Sequence, residues 1–239
     1  MPSPRIRLVV LFGGVSAEHD VSCVSASHVL RAADPERYDL VPVGVTRTGE
    51  WMLSESAAKM LADGPDALPA ESLQVDGPAI EPLPTVLPAN ADEQVVVLPL
   101  IHGPMGEDGT VQGLLELAGV PYVGSGVLGS ALCMDKAMAR TVAAAAGLPQ
   151  ARWLTARDVE VDDAFAARVV AELGLPVFVK PANLGSSVGI TKAHDEVELA
   201  AALPTALSYD EWVVVEESVT AREIEVAAVS YTHLTLPTN

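Results

Sequence analysis

The segment from Pro176 to Ile190, PVFVKPANLGSSVGI, constrains the fold of this chain more than any other. Two apolar runs flank a Gly-Ser-Ser-Val-Gly loop, and this pattern predicts a hairpin with the loop at its tip. Gly185 and Gly189 allow backbone N–H groups to converge, and the two hydroxyls between them add donors that suit phosphate oxygens. Taken alone, an ordinary Gly/Ser turn with an edge lysine explains the segment equally well.

Lysine is scarce in this chain, which gives each lysine more weight. Of the 14 Lys+Arg residues only four are lysines, at positions 59, 136, 180 and 192. Lys180 ends an apolar strand, and a compact ammonium group suits phosphate in a tight site. Lys136 lies near the start of a predicted helix, where a cation is unfavourable unless an anion lies beyond it. Both are therefore candidate phosphate ligands.

The composition favours a two-domain α/β protein. The chain has 239 residues, of which 49% are hydrophobic, and its strand-like and helix-like segments alternate. A formal charge of −18 opposes binding to nucleic acid or an anionic membrane, so a phosphate ligand must be held locally. The two cysteines are far apart and no apolar run approaches bilayer length. This predicts a cytoplasmic setting without a zinc site or a membrane span.

The first strand, Arg5–Phe12, runs into a Gly13-Gly14 turn and a helix predicted to begin at a Ser16 N-cap. This is the first unit of a Rossmann-like sheet. Glu18 would lie in the first helical turn, at the carboxyl end of the strand, where open α/β sheets bind ligands. Complementing the helix dipole is the alternative role for Glu18, and it is favoured when that residue is considered alone.

A second Gly-rich loop follows the predicted strand Val95–Ile101. His102 opens this loop beside the expected end of the first strand, which favours a place in the site over a structural role. For Glu107 and Asp108 a solvated turn is the favoured interpretation. The preceding stretch 54–93 is rich in Pro, Ala, Asp and Glu, and we predict a surface excursion without chemistry.

The remaining pattern predicts five further elements around the hairpin. They are a helix from Ser130 to Ala146, a helix from Val161 to Leu173, a helix from Asp195 to Leu203, and strands Trp212–Glu217 and Arg222–Val229.

Five ordered motifs together carry a specific resemblance to a known family. They are Gly13-Gly14-x-Ser16-x-Glu18-His19-x-Val21-Ser22, His102-Gly103-x-x-Gly106-Glu107-Asp108-Gly109-x-x-Gln112-Gly113, Met134-Asp135-Lys136, the run from Val179-Lys180 to Gly189, and Glu216 with Arg222-Glu223-Ile224-Glu225. Through them, residues 5–229 closely resemble the D-alanine–D-alanine ligases of the ATP-grasp superfamily. The resemblance implies a Rossmann-like substrate-binding domain over 1–130, a central ATP-grasp lobe over 131–211, and the start of a second lobe over 212–239, leaving the ATP-grasp fold incomplete.

The resemblance also implies the reaction and its residues. The family joins two D-alanines through a D-alanyl phosphate, at the expense of ATP, for peptidoglycan precursors of the cell wall. It further implies Mg²⁺ or Mn²⁺, a homodimer and D-alanine as the small-molecule partner. By analogy, Glu18 and Ser186 would be a catalytic pair, His102 would lie beside the first D-alanine, and ATP would be bound by Lys136, Lys180, Ser186, Ser187, Gly189, Glu216 and Glu223.

The last ten residues depart from the family. Ser230–Asn239 shifts to Thr, Leu and Pro after an Ala/Val-rich strand, which is typical of a foreign tail after a truncated frame. The resemblance places the metal ligands downstream of Arg222–Glu225. We therefore assign no metal ligand in this chain and expect the fragment to be inactive alone.

Three other functions remain open at this point. A ligase that joins D-alanine to D-lactate or D-serine is the nearest alternative. A non-catalytic ATP-binding module is a second, although such a module would not need Glu18 together with His102. A dinucleotide-dependent oxidoreductase is a third, and it is disfavoured because no Gly-x-Gly-x-x-Gly follows the first strand.

Overall fold

Two four-stranded sheets organise the part of the chain that the computed structural model describes, which is residues 5–64, 67–69, 71–222 and 224. The first sheet has the strand order β3-β2-β1-β4. Its strands are β1 (Ile6–Gly13), β2 (Tyr38–Val45), β3 (Trp51–Leu53) and β4 (Val95–Pro99). β1 pairs in parallel with both β2 and β4, and β3 runs antiparallel at the edge. The predicted Rossmann-like arrangement is thus present at this end of the chain.

Helices cover both faces of the first sheet. They are α1 (His19–Ala32), α2 (Glu55–Asp63), α3 (Pro82–Val86) and α4 (Thr110–Ala118). Alternate residues of β1 point to opposite faces: Val10 and Phe12 pack on the α1 side, and Val9 and Leu11 on the α4 side. All four of these side chains are fully buried, as expected for a parallel strand that is covered on both faces.

The second sheet is antiparallel throughout and has the order β5-β8-β6-β7. Its strands are β5 (Trp153–Arg157), β6 (Val177–Pro181), β7 (Thr191–Ala193) and β8 (Trp212–Glu217). The predicted hairpin is therefore β6 and β7, with residues 182–190 between them. One face packs on α7 (Asp163–Leu173) and α8 (Glu196–Leu207), and the other meets α6 (Lys136–Ala145) through Ala137.

Two predicted helix boundaries are wrong, because the hydrogen-bond partners of Ser16 and Asp135 are not apparent from the sequence. Ser16 does not cap α1: its hydroxyl accepts the Glu18 N–H at 3.1 Å and donates to the His102 carbonyl at 2.7 Å, and the helix begins at His19. The helix predicted over 130–146 is two helices, α5 (Val127–Met134) and α6. Asp135 separates them because its carboxylate caps α6 by accepting the Met138 N–H.

The stretch 54–93 is more than a surface excursion. It contains α2 and α3, and three of its own side chains, Ala57, Leu68 and Leu73, are buried on the α1 side of the first sheet. Helix α8 also continues to Leu207, beyond the predicted end at Leu203. The strand predicted at Arg222–Val229 falls mostly outside the described residues.

Loss of the Ser22 hydroxyl will destabilise the first sheet. Ser22 is fully buried, donates to the Leu100 carbonyl at 2.6 Å and accepts the Gly13 N–H at 2.8 Å. Ser22→Ala leaves both backbone groups without this partner, so we expect the free energy of unfolding in urea to fall by about 1–3 kcal/mol. The control Thr205→Ala removes an exposed helical hydroxyl and should change it by less than about 0.5 kcal/mol. Equal effects would contradict this account.

Candidate active site

The loop between β6 and β7 adopts an unusual backbone conformation. Ser186 and Ser187 have φ angles of 47° and 59°, and Gly189 has 71°. Left-handed backbone costs a non-glycine residue roughly 1–2 kcal/mol, so other contacts must hold the two serines. Two turn hydrogen bonds contribute, from Val188 N–H to the Gly185 carbonyl and from Ile190 N–H to the Ser187 carbonyl. We call residues 185–189 the serine loop.

A hydrogen bond joins the serine loop to the first sheet. The Ser186 hydroxyl donates to a carboxylate oxygen of Glu18, which lies 168 positions earlier and immediately precedes α1. The carboxylate fits between two glycines: a Cβ added at Gly185 would lie 2.7 Å from Glu18 Oε2, and one at Gly103 would lie 3.0 Å from it. The absence of side chains at these two positions allows the loops to approach each other.

His102 lies at the carboxyl end of the first sheet, as its position after β4 predicts. Its backbone carbonyl is bonded to Ser16, and its ring Nε2 lies 3.2 Å from the Ser25 hydroxyl on α1. His102, Ser25 and Gly185 line one cavity of about 560 Å³, so the first sheet and the serine loop border the same space. Ser25 carries no signal in the sequence, because its contact with His102 depends on how α1 packs.

The two acids that follow His102 stabilise their own loop. Glu107 accepts the Gly103 N–H at 2.7 Å, and Asp108 accepts the N–H groups of Met105 and Thr110 at 2.8 and 2.9 Å. Burial opposes the charged form of Asp108, but its hydrogen bonds, led by those from the Met105 and Thr110 N–H groups, together leave the pKa below its usual value. These contacts agree with the turn predicted for both acids.

Lys136 contacts the base of the serine loop, and the positive charge of Lys180 lies near enough to act on it. The Lys136 ammonium, at the start of α6, donates to the carbonyls of Leu184 at 2.5 Å and Ala182 at 3.2 Å. Burial, followed by the positive charge of Lys180, lowers the pKa of Lys136 below that of a free lysine. Nearby acids partly oppose this shift. Two ammonium groups that repel each other in a half-buried position are suited to an anion.

Glu216 lies at the centre of a buried ion cluster. It is 6% exposed, and its Oε2 lies 2.7 Å from the Lys180 ammonium. Its Oε1 accepts from Arg140, at 2.9 Å from Nε and 2.5 Å from Nη2. The antiparallel register explains the lysine contact, since Phe178 faces Glu216 across the strands and Lys180 lies diagonally on the same side. Arg140 is a site residue that sequence reasoning missed.

Glu223, expected to bind ATP, is outside the described residues. Within the described ranges, no group of three or more His, Cys, Asp or Glu side chains could hold a metal ion, so no metal ligand is assigned there. Within the same ranges, no helix has both the length and the apolar character needed to cross a membrane.

Known proteins resemble this chain along nearly all of its length. A family model described as "D-ala D-ala ligase N-terminus" matches residues 7–125, and one described as "D-ala D-ala ligase C-terminus" matches residues 142–236. A D-alanine–D-alanine ligase of Kineococcus radiotolerans is 48% identical over 93% of this chain and 63% of its own length. One of Caldicellulosiruptor bescii is 43% identical over 94% and 63%.

Solved structures give the same result for the fold. The D-alanine-D-alanine ligase of Coxiella burnetii superposes with a TM-score of 0.74 at 31% identity, covering 91% of this chain and 65% of that one. The VanG D-Ala:D-Ser ligase of Enterococcus faecalis gives 0.72 at 34% identity, covering 91% and 64%. The chain thus spans slightly less than two thirds of the length of these relatives. With both family models and this fold in agreement, the chain belongs to the D-alanine–D-alanine ligase family, whose members have the ATP-grasp fold.

Proposed function

We propose that the protein containing this chain joins two D-alanines into D-alanyl-D-alanine, with ATP as the second substrate, as a step towards peptidoglycan precursors. The hydrogen bond between Ser186 and Glu18 carries this proposal. It brings a loop suited to phosphate together with a carboxylate suited to an amino acid's ammonium group. A protein that only bound nucleotide would not need this connection.

The chemistry accounts for both halves of the site. A carboxylate is a poor acyl donor, so the carboxylate of the first D-alanine takes the γ-phosphoryl group of ATP and ADP leaves. The amine of the second D-alanine then attacks the D-alanyl phosphate, forms the amide bond, and releases phosphate and a proton. Charge develops on the transferring phosphoryl group, so fixed positive charges and N–H donors accelerate the first step.

The phosphate side of the site is assigned to Lys136, Lys180 and the serine loop. The Lys136 ammonium bonds to the Leu184 carbonyl beside that loop, and a bound polyanion would relieve the mutual repulsion of the two lysines. Ser186 and Ser187 supply hydroxyls, and that of Ser186 reaches Glu18 from a left-handed backbone. A loop held over the site also excludes water, which would otherwise hydrolyse an acyl phosphate.

The amino-acid side is assigned to Glu18 and His102. Glu18 would hold the ammonium group of the first D-alanine, and His102, in the adjoining cavity, would lie beside the same substrate. The adenine edge is assigned to Glu216 and the ribose to Glu223. We also propose the domain limits 1–130, 131–211 and 212–239, a homodimer, a cytoplasmic location, and Mg²⁺ or Mn²⁺ to balance phosphate charge.

A second candidate is ligation of D-alanine to D-serine. The VanG structure, which superposes on this chain at 34% identity, is named a D-Ala:D-Ser ligase. The two candidates share the first substrate and differ only in the nucleophile.

Glu18→Gln should separate substrate use from nucleotide binding. The amide keeps the shape of the carboxylate but loses the charge that holds an ammonium group, so D-alanine-dependent ADP release should fall by about 100-fold or more. ATP affinity, measured by calorimetry, should change by less than about twofold. The assay uses the longest polypeptide that contains this chain. Glu36→Gln, at an exposed position, is the control, and retained turnover in Glu18→Gln would contradict the assignment.

The affinity for ATP should weaken at alkaline pH because Lys136 loses its proton there. Its pKa in the free protein is lowered, so the charged form that attracts phosphate begins to disappear at a lower pH than in a free lysine. Lys136→Arg stays protonated and should move this loss of affinity to higher pH. Lys59→Arg, on the exposed side of α2, should not. Identical pH profiles for wild type and Lys136→Arg would exclude Lys136 from phosphate binding.

Competition between nucleophiles will distinguish the two candidate reactions. With D-alanine, D-serine and D-lactate at equal concentration and about pH 7.5, we expect D-alanyl-D-alanine to be the main product. Mass spectrometry of the products measures this. A predominance of D-alanyl-D-serine would favour the second candidate.

A further inference from the structure

Glu216 has one cationic partner for each carboxylate oxygen, and the two come from different elements. Lys180 on β6 contacts Oε2, and Arg140 on α6 contacts Oε1 through both Nε and Nη2. The side chain of Glu216 is 8% exposed, compared with 21% for Lys180 and 22% for Arg140. A carboxylate this deeply buried is strongly destabilised if it is left unpaired.

The two cations differ in how firmly they are held. Arg140 is tied to Gln150 twice: the Gln150 amide donates to the Arg140 carbonyl at 2.9 Å, and the guanidinium lies 3.4 Å from the Gln150 side-chain oxygen. A guanidinium also stays charged at every relevant pH. The Lys180 ammonium is at the end of a flexible aliphatic side chain. Apart from Glu216, its neighbour is the Phe178 ring, whose centre is 5.8 Å away. Lys180 is therefore held by fewer contacts than Arg140.

The proposed function requires Lys180 at a phosphate group, yet Lys180 is paired with Glu216. If Lys180 were the sole partner of that carboxylate, its transfer to phosphate would leave a buried negative charge uncompensated. It would also place that charge near the incoming polyanion. Arg140 removes both problems, because Glu216 stays neutralised through Oε1 when Oε2 is released.

We propose that Arg140 is a positioning residue that holds Glu216 so that Lys180 can transfer from this carboxylate to the phosphates of a nucleotide. The inference rests on the proposed function for the identity of the polyanion. It adds that Arg140, Glu216 and Lys180 form an ion cluster before the nucleotide binds, and that Lys180 leaves this cluster when it does. Arg140 acts through Lys180 and needs no contact with the phosphates.

A double-mutant cycle tests this proposal with two probes, ATP and inorganic tripolyphosphate, by calorimetry on the 239-residue chain. Arg140→Met should weaken the binding of both probes by about tenfold or more, because Lys180 is then the only partner of Glu216. In the Glu216→Gln background no charge needs neutralising, so adding Arg140→Met should change affinity by less than about twofold. Arg140→Lys keeps the charge and should restore most of the affinity.

Matched controls and outcomes make the result decisive. Arg168→Met, which removes an exposed arginine paired with Glu172 on α7, should leave binding unchanged. If Arg140→Met fails to fold, as judged by circular dichroism, Arg140→Gln replaces it with the same expectations, because it also removes the charge but keeps a polar side chain. Equal losses in the two backgrounds would mean that Arg140 contacts phosphate directly and would overturn the proposal, as would failure of tripolyphosphate to bind wild type. Arg140-dependent binding of tripolyphosphate without tighter binding of ATP would refute the proposed function but support this inference.

Discussion

The contact between Ser186 and Glu18 is the interaction on which the site depends. The two residues lie in loops that are attached to different sheets and are 168 positions apart, so the contact forms only when both sheets have folded. Two glycines, at 103 and 185, leave the space that the carboxylate occupies. A single side-chain hydrogen bond stabilises a protein only modestly, so its importance lies in where it places the loop.

The distribution of charge explains how an acidic chain can present a site for phosphate. With a formal charge of −18, the surface as a whole repels polyanions. Three half-buried cations instead provide local positive charge: Lys136 bonds beside the serine loop, and Lys180 and Arg140 both pair with Glu216. Electrostatic interactions are stronger where water is partly excluded. Affinity for a nucleotide must therefore arise from short-range contacts, which also favours selectivity over nonspecific attraction.

Much of the fold could be predicted from local pattern, because the apolar strands and their Gly-rich turns are continuous in sequence. The adjacency of His102 to the end of β1 also followed, since parallel strands bring their carboxyl ends to one edge. Features set by distant partners could not be predicted. Ser16 resembles a helix cap, but its hydroxyl bonds to a neighbouring strand end. Arg140 was overlooked because its partner lies 76 positions away and arginine is the commoner cation here.

The pairing of β6 with β8 makes the ion cluster sensitive to any insertion or deletion within β6. Phe178 opposes Glu216 and Lys180 opposes Val214, so these side chains share one face while Val179 and Val215 fill the core on the other. Side chains alternate strictly along a strand, so sliding β6 by a single position would exchange the two faces. Insertions or deletions within this strand are therefore excluded by geometry, because they would turn Lys180 away from Glu216 and into the core.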